Sequence, residues 1–350
     1  MGATTSPGEI QANRSESGGH GRFRFRYVLI GTIVFVVGLG CLGAIYQAIS
    51  VRADQRKFLP PGQFVDLGGR RIHMLVQGQS NGKPTVLLEA GIAGFSSNWA
   101  WVQNELAQIT QVVSYDRAGL GWSDPAPETK DAQQSAQDLH AALQKAGIQS
   151  PYIIAGHSYG GLVVRAFTDL YPGEVAGMVL VDASHPDQWL RIPASKGGQT
   201  VAFGNRVEEY LVRLGISRLF NLNKSAYAGL PDQQAAEMKA ILNMPKSWST
   251  SAGVLSIWDK RTREEIEQAH DLGNLPLVVF SVTDQPSSVA ATLTSLQDEL
   301  PGLSTNSLHV TVEGATHEGL IAKQEYATEV ARAIQKVIEA AETGAPLASQ

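Results

Sequence analysis

The residues most able to do chemistry lie together at Gly156-His157-Ser158-Tyr159-Gly160, a G-x-S-x-G pattern. Alone the pattern is weak. With Gly and Ser each near roughly 7% of residues, a chain this long shows it by chance about 0.1 times. Its context strengthens it. An apolar stretch at 152–155 precedes it and a helical pattern begins near Gly161, so Ser158 sits on a strand-to-helix turn. The flanking glycines permit a strained turn with close backbone packing. The hydroxyl then emerges at the C-terminal edge of a sheet, where ligands bind in open α/β sheets. A serine hydroxyl is a poor nucleophile at neutral pH and needs a base beside it, normally an oriented imidazole.

Eight histidines could supply that base. His20 belongs to the N-terminal tail, His73 and His309 fall in strand patterns, and His140 falls in a helical one. His157 precedes the serine on a tight turn, so its side chain is expected to point elsewhere. His185 and His270 border a long interval without strands. His317 alone follows the last strand pattern and a short glycine-containing loop, which puts it at the same sheet edge as Ser158. No Cys or His cluster has metal-ligand spacing and no phosphate-binding glycine loop is present, so no cofactor is expected.

The elements that must position these groups recur in a simple rhythm. Segments 64–67 and 71–76 flank Gly68-Gly69 as an opening hairpin. Short apolar runs follow at 85–88, 112–115, 152–155, 178–181, 277–282 and 308–312. Runs of this kind suit strands buried on both faces of a parallel sheet. Helical patterns at 131–145 and 161–170 lie between them, the second stopped by Pro172. Between 181 and 277 the strand pattern lapses, and helical patterns appear near 205–214, 232–242 and 262–269. So long an interval implies an inserted helical cap. The expected fold is therefore α/β, a doubly wound and mostly parallel sheet carrying such a cap.

From about Gln63 to Glu342 the chain resembles the serine-hydrolase, esterase-like branch of the α/β-hydrolase fold superfamily. Four stretches carry the resemblance, in the family's order: Leu88-Glu89-Ala90-Gly91, then Asp116-Arg117-Ala118-Gly119-Leu120-Gly121-Trp122-Ser123, then the Ser158 turn, then Gly314-Ala315-Thr316-His317. The resemblance implies a Ser–acid–His triad in that chain order, with Ser158 as nucleophile and His317 as base. It favours Asp284 as the acid, eight residues after Pro276 and just past 277–282, where the family places its usual acid. Asp182, at the end of 178–181, is the alternative that some members use. The oxyanion hole would use two backbone N–H groups, from Tyr159 after the nucleophile and from Ile92 just past Gly91. Many members carry His-Gly at that second turn, whereas this chain has Ala90-Gly91 after Glu89, which reads as a buried, hydrogen-bonded carboxylate. Asp116 reads as a brace for the 119–123 loop. A serine at the turn sets the chain apart from the dehalogenases and epoxide hydrolases of this fold, whose nucleophile is aspartate. The implied reaction is hydrolysis of a small-molecule acyl ester through an acyl-enzyme. C–C hydrolase, thioesterase and amidase or peptidase activities share the machinery, and a non-catalytic binding protein is the alternative outside catalysis. Trp99, Trp101, Trp248 and Trp258 are expected in the core more than in a substrate pocket.

The 350 residues are 43% hydrophobic and 17% charged, with a formal net charge of -5. That charge gives no general electrostatic reason to bind nucleic acid. The single cysteine, Cys41, excludes an internal disulfide. Cys41 lies in a run without charge from Tyr27 to Val51. About 20 apolar residues span a hydrocarbon core of about 30 Å, so 27–51 reads as a transmembrane anchor in contact with membrane lipid. Cleavage as a signal peptide after Ala48-Ile49-Ser50 is the competing reading. Arg14, Arg22, Arg24 and Arg26 precede the run, against Arg52, Arg56 and Lys57 after it. The N-terminus is thus expected in the cytoplasm and the catalytic part beyond the membrane. The organisation reads as a disordered tail at 1–26, the anchor at 27–51 and a linker at 52–62. Core at 63–184, helical cap at 185–272, core again at 273–342 and a tail at 343–350 complete it.

Overall fold

The computed structural model describes residues 1–4 and 19–347. Residues 5–18 and 348–350, which include most of the expected N-terminal tail and the end of the C-terminal one, lie outside the described residues. Helix α1 (Gly19–Lys57) carries the uncharged run, and its apolar window has a mean hydropathy of 2.6 with none of it buried. It is long and apolar enough to cross a membrane. The helix continues past Val51 because nothing before Pro60-Pro61 stops it, so the first residues of the expected linker are helical.

Strands β1 (Gln63–Asp66) and β2 (Arg71–Gln77) form the antiparallel hairpin. Asp66 Oδ1 accepts from the Gly68 and Gly69 amides at 2.8 and 3.0 Å, and both glycines have positive φ. Alternation follows: β3 (Thr85–Glu89), α2 (Ala100–Leu106), β4 (Val112–Tyr115), α3 (Ala132–Ala146), β5 (Tyr152–His157), α4 (Gly160–Leu170) and β6 (Val175–Val181). Asp131 caps the start of α3 through the Gln134 amide, and Gly147 ends it in the left-handed region. Six helices then intervene before the next strand: α5 (Gln188–Arg191), α6 (Gly198–Arg213), α7 (Ile216–Phe220), α8 (Asp232–Leu242), α9 (Pro245–Ile257) and α10 (Arg263–Glu267). The chain closes with β7 (Leu277–Val282), α11 (Ala290–Glu299), β8 (Ser307–Val312), α12 (Gly319–Ala322) and α13 (Gln324–Thr343).

The eight strands form one sheet in the order β1-β2-β4-β3-β5-β6-β7-β8, in which only β2 runs against its neighbours. Side chains alternate between two cores, as a period of two requires. Leu87, Ile154, Met178, Leu180 and Val279 meet α3 and α4 on one face. Val86, Leu88, Ile153, Val179 and Phe280 meet α2 and α13 on the other. Both faces are covered, which is why these strands read as continuous apolar runs. Helix α9 has no clear apolar period in the sequence, because its serines interrupt it. Ser251 Oγ and Ser249 Oγ hydrogen-bond back to the Ser247 and Pro245 carbonyls, and packing against α6 supplies the remainder.

Candidate active site

Strand β5 ends at His157, and Ser158 follows with φ of 55°, a strained value for a residue bearing a side chain. The strain is held by the surroundings. Ser158 N donates to the Val181 carbonyl at 3.2 Å, and its own carbonyl accepts from Gly161 N and Ser184 N at 2.9 Å each. Glycine is required on both sides. A Cβ at Gly156 would lie 2.6 Å from the Gly160 carbonyl oxygen, and one at Gly160 would lie 2.5 Å from that of Glu89. Both obstacles are backbone, so neither can yield cheaply.

His317 lies on the loop between β8 and α12, and its Nδ1–H donates to Asp182 Oδ2 at 2.5 Å. Burial disfavours the charged imidazole, but the hydrogen bond and charge of Asp182, with Glu318 behind them, outweigh it and raise its pKa. Asp182 is buried, has φ of 41°, and leaves its other oxygen, Oδ1, without a partner among the described residues. Its amide donates to the Phe280 carbonyl at 2.8 Å. Gln297 of α11 donates to the Ala183 carbonyl at 2.6 Å, pinning the same turn.

The expectation for Asp284 is corrected by this geometry: Asp182, not Asp284, partners the imidazole. Asp284 is exposed on the wall of the cavity of about 390 Å³ that Ser158, Asp182 and His317 also line. The cause is strand register. His157 lies opposite Val181, and Val181 opposite Phe280, so Ser158 and Asp182 leave the sheet side by side. Asp284 comes four residues after Phe280, some 10 Å further along an extended chain than a residue level with Asp182. Ser158 Oγ makes no hydrogen bond among the described residues; in an unliganded site such bonds are often long until substrate arrives.

Of the expected oxyanion donors, Tyr159 directly follows the nucleophile and Ile92 follows Gly91 on the neighbouring loop. Neither amide donates to another protein group among the described residues. A Cβ at Gly91 would lie 3.1 Å from Ser158 Cβ, so this loop passes directly over the serine. Arg117 shapes it: Nη1 donates to Glu89 and the Ala90 carbonyl, and Nη2 to the Gly91 and Ile92 carbonyls. Glu89 also accepts from the Tyr115 hydroxyl. The carboxylate that precedes Ala90-Gly91 is thus the counter-ion of a buried arginine. Asp116 accepts from Ser96 N and Trp122 N at 2.8 Å each, bracing the 119–123 loop as its position suggests.

His157 has a part that sequence did not reveal. Its Nε2–H donates to the His317 carbonyl at 2.9 Å. Burial first, and then the neighbouring His317, lower its pKa to about 3, so it stays neutral and holds that tautomer. Adjacency to the serine was its only signal. Trp99 and Trp258 are buried, Trp101 and Trp248 are half-buried, and none lines the Ser158 cavity. Among the described residues no group of His, Cys, Asp or Glu is arranged to hold a metal.

Comparison with known proteins agrees with this architecture. Residues 84–323 match the family model described as alpha/beta hydrolase fold. A thermophilic esterase from Thermogutta terrifontis superposes with a TM-score of 0.59 at 20% identity, over 79% of this chain and 99% of that one. A "probable hydrolytic enzyme" from Pseudomonas aeruginosa gives 0.61 at 19% identity, over 78% and 93%. At these identities the likeness is one of fold. In sequence, a "probable transporter" of Hormonema carpetanum is 34% identical over 135 residues, which cover 37% of this chain and 19% of that protein. The chain spans half or less of the length of the curated relatives it matches.

Proposed function

The chain belongs to the α/β-hydrolase family, and on that footing we propose that it is a serine hydrolase cleaving a carboxylic ester through an acyl-enzyme. The observation that carries this reading is the His317–Asp182 pair at the sheet edge where the strained Ser158 turn emerges. In the proposed cycle Ser158 Oγ attacks the ester carbonyl as its proton passes to His317 Nε2. Asp182 holds Nδ1–H and stabilises the imidazolium. The Tyr159 and Ile92 amides receive the oxyanion, and since Arg117 fixes the Ile92 loop beforehand, little reorganisation is needed as charge develops. The tetrahedral intermediate collapses, the C–O bond breaks, and His317 protonates the departing alcohol. Water, deprotonated by His317, then cleaves the Ser158 acyl ester and regenerates the serine.

The anchor reading belongs to the same proposal. Helix α1 holds the enzyme in a membrane as a single span, with the catalytic part on the far side from the cytoplasm. The α5–α10 insertion acts as the cap that selects substrate.

A fluorophosphonate probe tests the chemistry. Wild type should label covalently and Ser158→Ala should not. Absence of labelling in wild type, alongside a serine hydrolase that does label, assigns the chain to the non-catalytic members of the fold. An ester, thioester and amide panel then fixes the acyl class.

A further inference from the structure

The α5–α10 insertion carries an apolar surface that the chemistry above does not use. On α6 and its C-cap, Phe203, Val207, Tyr210 and Leu214 are all exposed, and their spacing of 4, 3 and 4 residues puts them on one face. Leu219, Phe220 and Leu222 continue the surface across α7 and the turn after it. Phe203, Tyr210 and Phe220 retain 68%, 66% and 67% of their accessible surface. A stripe of this size on a helix asks for an apolar partner.

The position of the stripe identifies the partner. Its last residue touches α1 within the uncharged run: a Cβ at Gly43 would lie 2.2 Å from the Leu214 carbonyl oxygen, and one at Gly40 would lie 3.9 Å from Leu214 Cδ2. Gly43 precedes Val51 by eight residues, about 12 Å along a helix axis. Polar contacts tie α1 there to α7 and to the turn between α8 and α9. Gln47 Nε2 donates to the Asn243 carbonyl, Arg218 Nε donates to Gln47 Oε1, and Arg218 pairs with Asp54 at 2.7 Å. At its other end α6 starts against Trp189, next to Gln188 on the wall of the Ser158 cavity. Helix α6, which carries the stripe, therefore runs from the anchor to the neighbourhood of the site.

We propose that this face of α6 and α7 is embedded in the lipid of the same bilayer that α1 crosses, as a second membrane attachment. This rests on reading α1 as a membrane span. If α1 spans, Leu214, which touches its uncharged run, lies at the membrane surface, and a water-soluble partner covering the stripe would have to displace lipid there. An amphipathic helix lying in the boundary between headgroups and acyl chains meets the same surface without that cost.

Labelled variants in vesicles test this. In a Cys41→Ala background, Phe203→Cys, Tyr210→Cys and Phe220→Cys each take a fluorophore. Phe35→Cys in α1 reports on the anchor, and Glu329→Cys on α13 reports on bulk water. All these side chains are exposed, so the core is untouched, and an unchanged thermal transition verifies each variant. The full chain is reconstituted in equal parts of phosphatidylcholine and phosphatidylglycerol, with doxyl groups on the acyl chains. Labels at 203, 210 and 220 should lose fluorescence to doxyl lipid and resist aqueous iodide, while the label at 329 does the reverse. If 35 is quenched by doxyl lipid but the three are open to iodide, the anchor stands and the proposal fails. If the three resist iodide without doxyl quenching, a second copy or another protein covers them, and the proposal again fails. If 35 itself is not quenched, the anchor reading falls and the proposal falls with it.

Discussion

At the residue scale, if His317 is the base of the proposed cycle, its neighbours decide when the site can work. Asp182 raises the imidazole pKa against the opposing effect of burial, and His157 below it stays neutral. A base must be unprotonated, so activity is expected to rise with pH through a value above the ordinary imidazole pKa of about 6.5. Stability runs the other way. The folded pKa exceeds the unfolded one, so the stabilisation from this pair is complete below about pH 6.5 and is lost as pH rises through the folded value. Asp182→Asn removes the group that raises the pKa. Its acid limb should move to lower pH, with kcat reduced by about 10⁴-fold through loss of the oriented tautomer. Asp284→Asn should leave the limb in place and the rate within a few-fold. Steady-state pH profiles on a p-nitrophenyl ester check both, and a large loss in Asp284→Asn alone would return the acid to the end of β7. The sequence could put two carboxylates at one sheet edge. It could not distinguish them, because that depends on which strand ends level with β5.

At the element scale, the loop after β3 depends on the Glu89–Arg117 pair beneath it. Both side chains are buried; burial pushes the Glu89 pKa up, and the Arg117 charge opposes it. A buried ion pair contributes little against an apolar pair of the same shape, but breaking it strands a charge. Glu89→Gln is therefore expected to cost about 3–5 kcal/mol and to slow probe labelling by disordering the Ile92 turn. Glu89→Gln with Arg117→Met, which leaves no buried charge, should recover part of that stability. Denaturant unfolding of the two variants and wild type measures the difference; an equal loss in both would show that the pair is not the source. Glu89 and Arg117 stand 28 residues apart. Their meeting follows from β3 and β4 being neighbours in the sheet, which apolar periodicity does not report.

At the scale of the whole molecule, α1 is long and apolar enough to cross a membrane, and the proposed anchor would set where the hydrolase works. Val36→Arg with Leu39→Arg puts two charges near the centre of the run, each costing about 2.5–3.5 kcal/mol at that depth. The double variant is expected to shift from the alkali-resistant membrane pellet toward the soluble fraction. Mass spectrometry of the wild-type N-terminus should find α1 retained, and a start near Val51 would overturn the anchor. The amino-acid sequence was enough to determine the eight strands, the turn that exposes Ser158, the histidine that follows the last strand and the long uncharged helix. Each is written in local pattern: apolar runs of period near one, glycines where no Cβ fits, and twenty or more residues without charge. Tertiary structure alone decided which carboxylate meets His317, why Glu89 is there, that His157 holds the His317 carbonyl, and that α6 turns an apolar face outward beside α1. These depend on register and on packing between elements far apart in the chain, and no local pattern encodes either.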